Sequence, residues 1–200
     1  MSKSFWDGDA SHLFRGISLG REAVSLDPNE PLGHAALGFA LMHSRQYKDA
    51  RTCFDEALSL NPNDTSIRGL RAILNCYTGR NEEALGDIEE ALRRDPYAAD
   101  WLWDERGMIM MACGRPADAI ASYEKMKYVP PWGLAFQAVS YIELGKPREA
   151  GAIYRRLCDE FSDWNGGKWK SNLSYFFGEF ESQTDIDRFT EVLGRAKAAA

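Results

Sequence analysis

The chain has 200 residues, 44% of them hydrophobic, and a formal net charge of −6. That is enough apolar content for a packed core, and an acidic balance without a Lys/Arg-rich run argues against non-specific attraction to nucleic acid. The opening MSKSFWDGDASH is polar and no apolar run approaches the ~18 residues of a membrane span, so neither a secretory signal nor a membrane segment is expected. Cys53, Cys76, Cys113 and Cys158 lie far apart with no CxxC pair. They predict reduced thiols on helices in a cytoplasmic setting, not a disulfide framework or a zinc site.

In chain order, residues 1–10 read as an entry segment with Phe5 and Trp6 as anchors. A helix over 11–26 follows, ended by Asp27-Pro28-Asn29. It matches only the second half of the unit that comes next, with Ala23 at the small position and Pro28 at the stop. Gly16 and Gly20 each weaken this helix by up to ~1 kcal/mol relative to Ala. Its apolar residues Leu13, Phe14, Ile17 and Val24 lack a partner helix. Either Phe5 and Trp6 cover them, or they form a docking face for another domain or for a second copy of the chain, a route to a homo-oligomer.

Residues 31–64 carry the best-formed unit: two amphipathic helices joined by a tight turn. Gly38, Ala50 and Ala57 are small where the helices must approach, Phe54 fills the space between, and Pro62 stops the second helix. Over 65–99 the second helix repeats this pattern with Ala84, Ile88, Ala91 and Pro96. Its first helix departs from it. Arg68, Arg71 and Asn75 take places of large apolar residues, and the stripe Ile67, Leu70, Ile73, Leu74 and Tyr77 predicts a rotated helix. In 100–130 the pattern falls on Trp103, Gly107, Met110, Gly114, Ala119 and Tyr123, and the unit ends early at KMKYVPP. In 131–162 it falls on Leu134, Ala138, Tyr141, Gly145, Ala150 and Tyr154. Pro116 and Pro147 sit at first turns of second helices, where a missing N–H does no harm. The register is lost after Trp164. In 163–200, NGGKWKSNLSYFFGEFES predicts a turn and a short packed segment. Thr184 with Asp187 resembles a capping box, and Ile186, Phe189, Val192 and Leu193 make the apolar face of a terminal helix that seals the stack.

Pro28, Pro62 and Pro96 are 34 residues apart, as are Ala50 and Ala84, and Ala57 and Ala91. That is the period of the tetratricopeptide repeat (TPR), and over 28–164 the chain resembles a TPR array. The expected fold is all-α: a right-handed helix-turn-helix solenoid of roughly four and a half repeats with a C-terminal capping helix. A narrower resemblance covers PPWGLAFQAVSYIELGKPREAGAIYRRL and SYFFGEFESQTDIDRFTEVLGRA. These are similar to the TPR region behind bacterial class III adenylate/guanylate cyclase domains and some winged-helix regulators. Gly145 to Ala150 and Asp185 to Phe189 hold the matching places, although the tail lacks the proline before its phenylalanine. No cyclase catalytic domain is present, so the resemblance implies a regulatory context and no cyclase activity.

The TPR resemblance also implies a concave groove lined by first helices. Carried onto this chain, the groove places fall on Phe39, Met42, His43, Ile73, Tyr77, Trp101, Asp104, Met108, Met111 and Trp132. A groove rich in Met and aromatics suits an amphipathic helix or extended peptide of a partner protein. The alternative is that a short, tightly wound stack buries these residues against each other. Ala35 and Phe39 stand where a carboxylate clamp needs Lys and Asn, which argues against a receptor for chaperone C-terminal tails. Arg68, Arg71 and Arg106 form a second feature: either an anion site or an internal salt-bridge network with carboxylates such as Glu83, Asp104 or Glu105, since an unpaired buried guanidinium is costly.

Chemistry is not expected. His12, His34 and His43 lack metal-ligand spacing, Glu82-Glu83 and Glu89-Glu90 read as solvated helix charges, and no phosphate loop or nucleophile elbow occurs. No cofactor is expected. The reading is a non-enzymatic protein-interaction module. The alternatives are a regulatory or oligomerisation region of a cyclase or transcription regulator and, third, a small-ligand receptor.

Overall fold

A computed structural model describes residues 10–161 and 180–200. Among these residues there are ten helices and no strand: α1 (Ala10–Leu26), α2 (Pro31–His43), α3 (Tyr47–Leu60), α4 (Thr65–Tyr77), α5 (Asn81–Arg94), α6 (Asp100–Ala112), α7 (Pro116–Tyr123), α8 (Pro131–Glu143), α9 (Pro147–Glu160) and α10 (Gln183–Ala198). Helices α2 to α9 form four antiparallel pairs. Each first helix also packs on the first helix of the next pair, which makes a continuous layer of α2, α4, α6 and α8. This is an all-α TPR solenoid with a capping helix.

The turn inside each pair is built the same way four times. Arg45, Gly79, Gly114 and Gly145 adopt positive φ of 58°, 71°, 69° and 70°. The following amide reaches back five residues, as in Gln46 N to Leu41 O (2.9 Å) and Arg80 N to Asn75 O (2.8 Å), which closes a Schellman motif. Three of the four positions are glycine because a Cβ is strained in this conformation; Arg45 is the exception. Proline opens α2, α7, α8 and α9 at the first turn, and Asp64 caps α4 through its carboxylate on Ile67 N (2.9 Å).

Within each pair a small residue on the first helix shares a register with a large one on the second: Gly38 and Phe54, Ala72 and Ile88, Gly107 and Tyr123, Ala138 and Tyr154. All four large residues are buried. At Gly107 the fit is tightest, since an added Cβ would stand 2.4 Å from Tyr123 Cζ. The same device explains α1. Its Gly16 and Gly20 lie against Ala40 and Leu37, so the residues that weaken the helix also let it approach α2 closely. Ile17 is buried there, whereas Phe14 and Leu26 are 73% and 79% exposed. The predicted covering by Phe5 and Trp6 lies outside the described residues.

Helix α4 buries Asn75 to 1% exposure and turns Arg68 and Arg71 toward its own partner helix α5, where Asp87 receives all three side chains. The polar substitutions are therefore met by a carboxylate on the facing helix. Helix α7 is short, ending at Tyr123. The Asp100 carboxylate accepts from Lys127 N (2.9 Å) and Tyr128 N (3.1 Å), tying the shortened linker back to α6. Helix α10 packs on α8 and α9, burying Phe189, Val192, Leu193 and Ala196. It begins at Gln183, so Thr184 lies inside the first turn and not at a capping position. Asp187 accepts instead from the Gln183 amide (2.8 Å). Most of the predicted packed segment lies outside the described residues.

Candidate functional site

Helices α2, α4, α6 and α8 surround a cavity of about 350 Å³. Stripes one helical turn apart supply its wall: Phe39, Met42 and His43 from α2; Ser66, Leu70, Ile73 and Tyr77 from α4; Trp101, Asp104, Glu105 and Met108 from α6; Trp132 and Phe136 from α8. Nine of the ten residues assigned to the groove line this cavity. Met111 does not. It is fully buried behind the wall, where the Ser140 hydroxyl meets its sulfur at 2.7 Å.

The sequence reading missed Leu70, Ser66, Glu105 and Phe136 as lining residues. Helical period was the available signal. Ser66, Leu70, Ile73 and Tyr77 form one i, i+4, i+7, i+11 stripe, and Phe136 lies one turn beyond Trp132.

Residues of this chain also shape one end of the cavity. Phe180 is buried, with its ring edge-on to Tyr77 at 5.4 Å and 5.6 Å from Phe189. The Glu181 amide donates to the Tyr77 carbonyl (2.8 Å), and Phe189 in turn meets Phe136 edge-on at 5.5 Å. The chain that leads into α10 thus crosses the C-terminal end of α4 and ties the capping helix to the cavity wall.

The polar part of the wall holds His43 and Ser66 and, on α6, the two carboxyl groups of Asp104 and Glu105. Asp104 is buried, and its Oδ2 accepts from the Trp132 indole Nε1–H at 2.5 Å. Burial pushes its carboxyl up to about 7, against the opposing effect of that hydrogen bond. Burial also raises Glu105 well above the usual carboxylate range, and Asp104 beside it adds to this. Tyr123, behind the wall, is raised by burial and then by the same two carboxylates, and its hydroxyl has no hydrogen-bond partner among the described residues. An added Cβ at Gly133 would stand 2.9 Å from Asp104 Oδ1, so a glycine on α8 makes room for the carboxylate.

The arginine row lies elsewhere and pairs with other carboxylates than those expected. Arg71 donates Nε and Nη2 to the two oxygens of Asp87 (2.8 and 2.7 Å) and Nη1 to Asp55 (3.0 Å). Its guanidinium is held more basic than usual, chiefly by the bond to Asp87. Arg68 reaches Asp87 and the Pro62 carbonyl, and Arg51 reaches Asn75. Arg106 pairs with Glu89 (2.9 Å) and donates to Ser122 Oγ (2.7 Å). Each of these cations is matched between the two helix layers. Asp104 and Glu105, expected among the partners, face the cavity instead.

His34 contacts the Pro28 carbonyl (2.9 Å). None of the four cysteines is in a disulfide among the described residues, and burial raises the thiols of Cys53, Cys113 and Cys158. Among the described residues no three His, Cys, Asp or Glu side chains are placed to hold a metal, and no helix is long and apolar enough to cross a membrane.

The tetratricopeptide-repeat family model matches residues 31–64 and 137–163. Solved structures match the fold over nearly the whole chain. One is TTC0263, a thermophilic TPR protein of Thermus thermophilus, with a TM-score of 0.65 and 17% identity over 92% of this chain and 91% of that one. Another is PilF of Pseudomonas aeruginosa, with a TM-score of 0.63 and 19% identity over 96% and 90%. A third is YrrB, described as a TPR protein with an unusual peptide-binding site, at 0.60 and 12% over 92% and 93%. At these identities the likeness speaks to fold. The family model thus matches in two places, and the helical stack as a whole has the fold of these tetratricopeptide-repeat structures.

Proposed function

We propose that the chain is a non-enzymatic binding module that holds an apolar segment of a partner protein in the cavity between its first helices. One observation carries this reading: four successive first helices direct large apolar side chains into a single cavity of about 350 Å³. That volume is at the lower end of the range for ligand sites. It suits one or two anchoring side chains of a bound segment better than a whole helix. Such anchors supply most of the energy of an interface, while the rim sets register. TPR proteins generally bind protein partners, and YrrB is described as having a peptide-binding site. Cysteines outside any disulfide fit a cytoplasmic setting.

The test is capture of a partner followed by its titration against the Phe39→Ala, Met108→Ala double variant, with helicity checked by circular dichroism. Loss of binding by a folded variant is expected. Unchanged binding of every captured partner would contradict the proposal.

A second reading, a regulatory or oligomerisation region of a bacterial cyclase or transcription regulator, rests on the sequence resemblance of the PPW opening and the tail. One contact favours it. The two resembling stretches pack on each other, Phe136 of α8 against Phe189 of α10, and Arg188 pairs with Glu143 (2.9 Å). They form one unit, as a transferable accessory element requires. A cyclase or regulator domain fused or encoded beside the repeat region would support it. Self-association through the exposed face of α1 is part of this reading, and light scattering across a concentration series tests it.

A further inference from the structure

The cavity wall combines two kinds of group. Trp101, Trp132 and Phe39 present aromatic surface, and Asp104 and Glu105 present adjacent carboxylates on α6. Among the described residues no salt bridge reaches either carboxylate, and no hydrogen bond reaches that of Glu105. The nearby arginines are engaged elsewhere: Arg71 and Arg68 with Asp87, Arg106 with Glu89. Two carboxyl groups held in an apolar cavity without a counter-charge are costly to ionise. A packed hydrophobic wall with no polar task would not need them.

We propose that the cavity accepts an organic cation, the ammonium or guanidinium head of a basic side chain on the partner segment, with its apolar stem against the aromatic wall. This rests on the binding-module reading and specifies the chemistry of the anchor. The cation supplies the missing counter-charge to Glu105 and Asp104. Its stem replaces water on Met108 and Leu70, and the indole faces attract it through their quadrupole. Burial raises both carboxyls, and a cation within ~4–6 Å draws them back to the charged form. An anionic anchor meets repulsion at the same place. The preference is thus opposite in sign to a site that captures carboxylates.

The experiment uses the full chain and small probes at pH 8, read from the indole N–H resonance of Trp132, which bonds directly to Asp104. Hexylammonium, hexanol and hexanoate share one stem and differ in charge. Hexylammonium is expected to bind about ten-fold more tightly than hexanol, with hexanoate weakest. That preference is expected to disappear in Glu105→Gln, with Asp104→Asn as a second variant that keeps an acceptor for the indole. Circular dichroism checks that both fold.

Equal affinity for hexylammonium and hexanol, or a preference for hexanoate, overturns the cation site and leaves the apolar module standing. No response of the indole to any probe overturns both. A short apolar peptide with one lysine, compared with its norleucine counterpart, identifies the source. Preference for the lysine peptide supports a partner side chain. Binding of hexylammonium without that preference refutes a partner side chain as the source and assigns the site to a free amine.

Discussion

Replacing Asp104 by Asn gives the most direct reading of the acidic wall. The folded-state carboxyl is pushed from 3.8 to about 7 by burial. A raised carboxyl favours the protonated form in the folded state, so its contribution to stability is complete below pH ~4 and is lost as pH rises through about 7. A displacement of roughly three units corresponds to ~4 kcal/mol at ~1.4 kcal/mol per unit. Asn cannot ionise, keeps the shape, and still offers an oxygen to the Trp132 indole. Its amide needs an acceptor in the wall, which reduces the net gain to about 2–3 kcal/mol. Urea unfolding of both proteins from pH 4 to pH 8 measures this. The variant is expected to lie about 1–2 kcal/mol below the wild type near pH 4, where only the cost of the amide remains, and to overtake it as pH rises to 8. A difference that does not change with pH, or a variant less stable at pH 8, would refute the reasoning that Asp104 is a desolvated carboxyl.

Other expectations follow from packing and charge. Gly107→Ala places a methyl 2.4 Å from Tyr123 Cζ; overpacking of this kind costs roughly 1–3 kcal/mol, read as a lower urea midpoint. Asp87→Ala strands Arg71 and Asn75 between helices. It is expected to cost about 3 kcal/mol while leaving probe binding at Trp132 unchanged, because Asp87 does not line the cavity. Gly114→Ala puts a Cβ at φ 69° and is expected to lower stability by about 1 kcal/mol. Phe189→Ala removes the ring between Phe136 and Phe180; a loss of roughly 3–4 kcal/mol should appear as early unfolding of the C-terminal repeat in hydrogen exchange.

The repeat architecture was legible because its determinants are local and periodic. The small residues at Gly38, Ala84 and Gly107, the turn glycines at Gly79, Gly114 and Gly145, and the first-turn prolines act within one helix pair. Each carries its meaning at a fixed spacing. The lining of the cavity was legible for the same reason, since the period of a first helix fixes which side chains share a face. What spacing does not carry is the pairing of charges between helices. Arg68 and Arg71 were visible as anomalies in α4. Their partner Asp87 belongs to the next helix, and the choice among Asp87, Glu83 and Asp104 depends on helix rotation. Met111 was assigned to the groove by its place in the repeat, yet it is buried between α6 and α8, against Ser140. The role of Phe180 was hidden for a different reason. It lies outside the periodic region and reaches Tyr77 across roughly one hundred residues of chain.

The central claim is that a partner segment enters the cavity between the first helices. Fluorine NMR of the chain labelled with 5-fluorotryptophan tests it most directly, because Trp101 and Trp132 line the cavity while Trp103, on the same helix as Trp101, does not. On titration with a captured partner, the resonances of Trp101 and Trp132 are expected to shift together, saturating at the same partner concentration, with Trp103 nearly still. Saturable binding that leaves Trp101 and Trp132 unmoved would contradict the account and place the interface on another face of the solenoid.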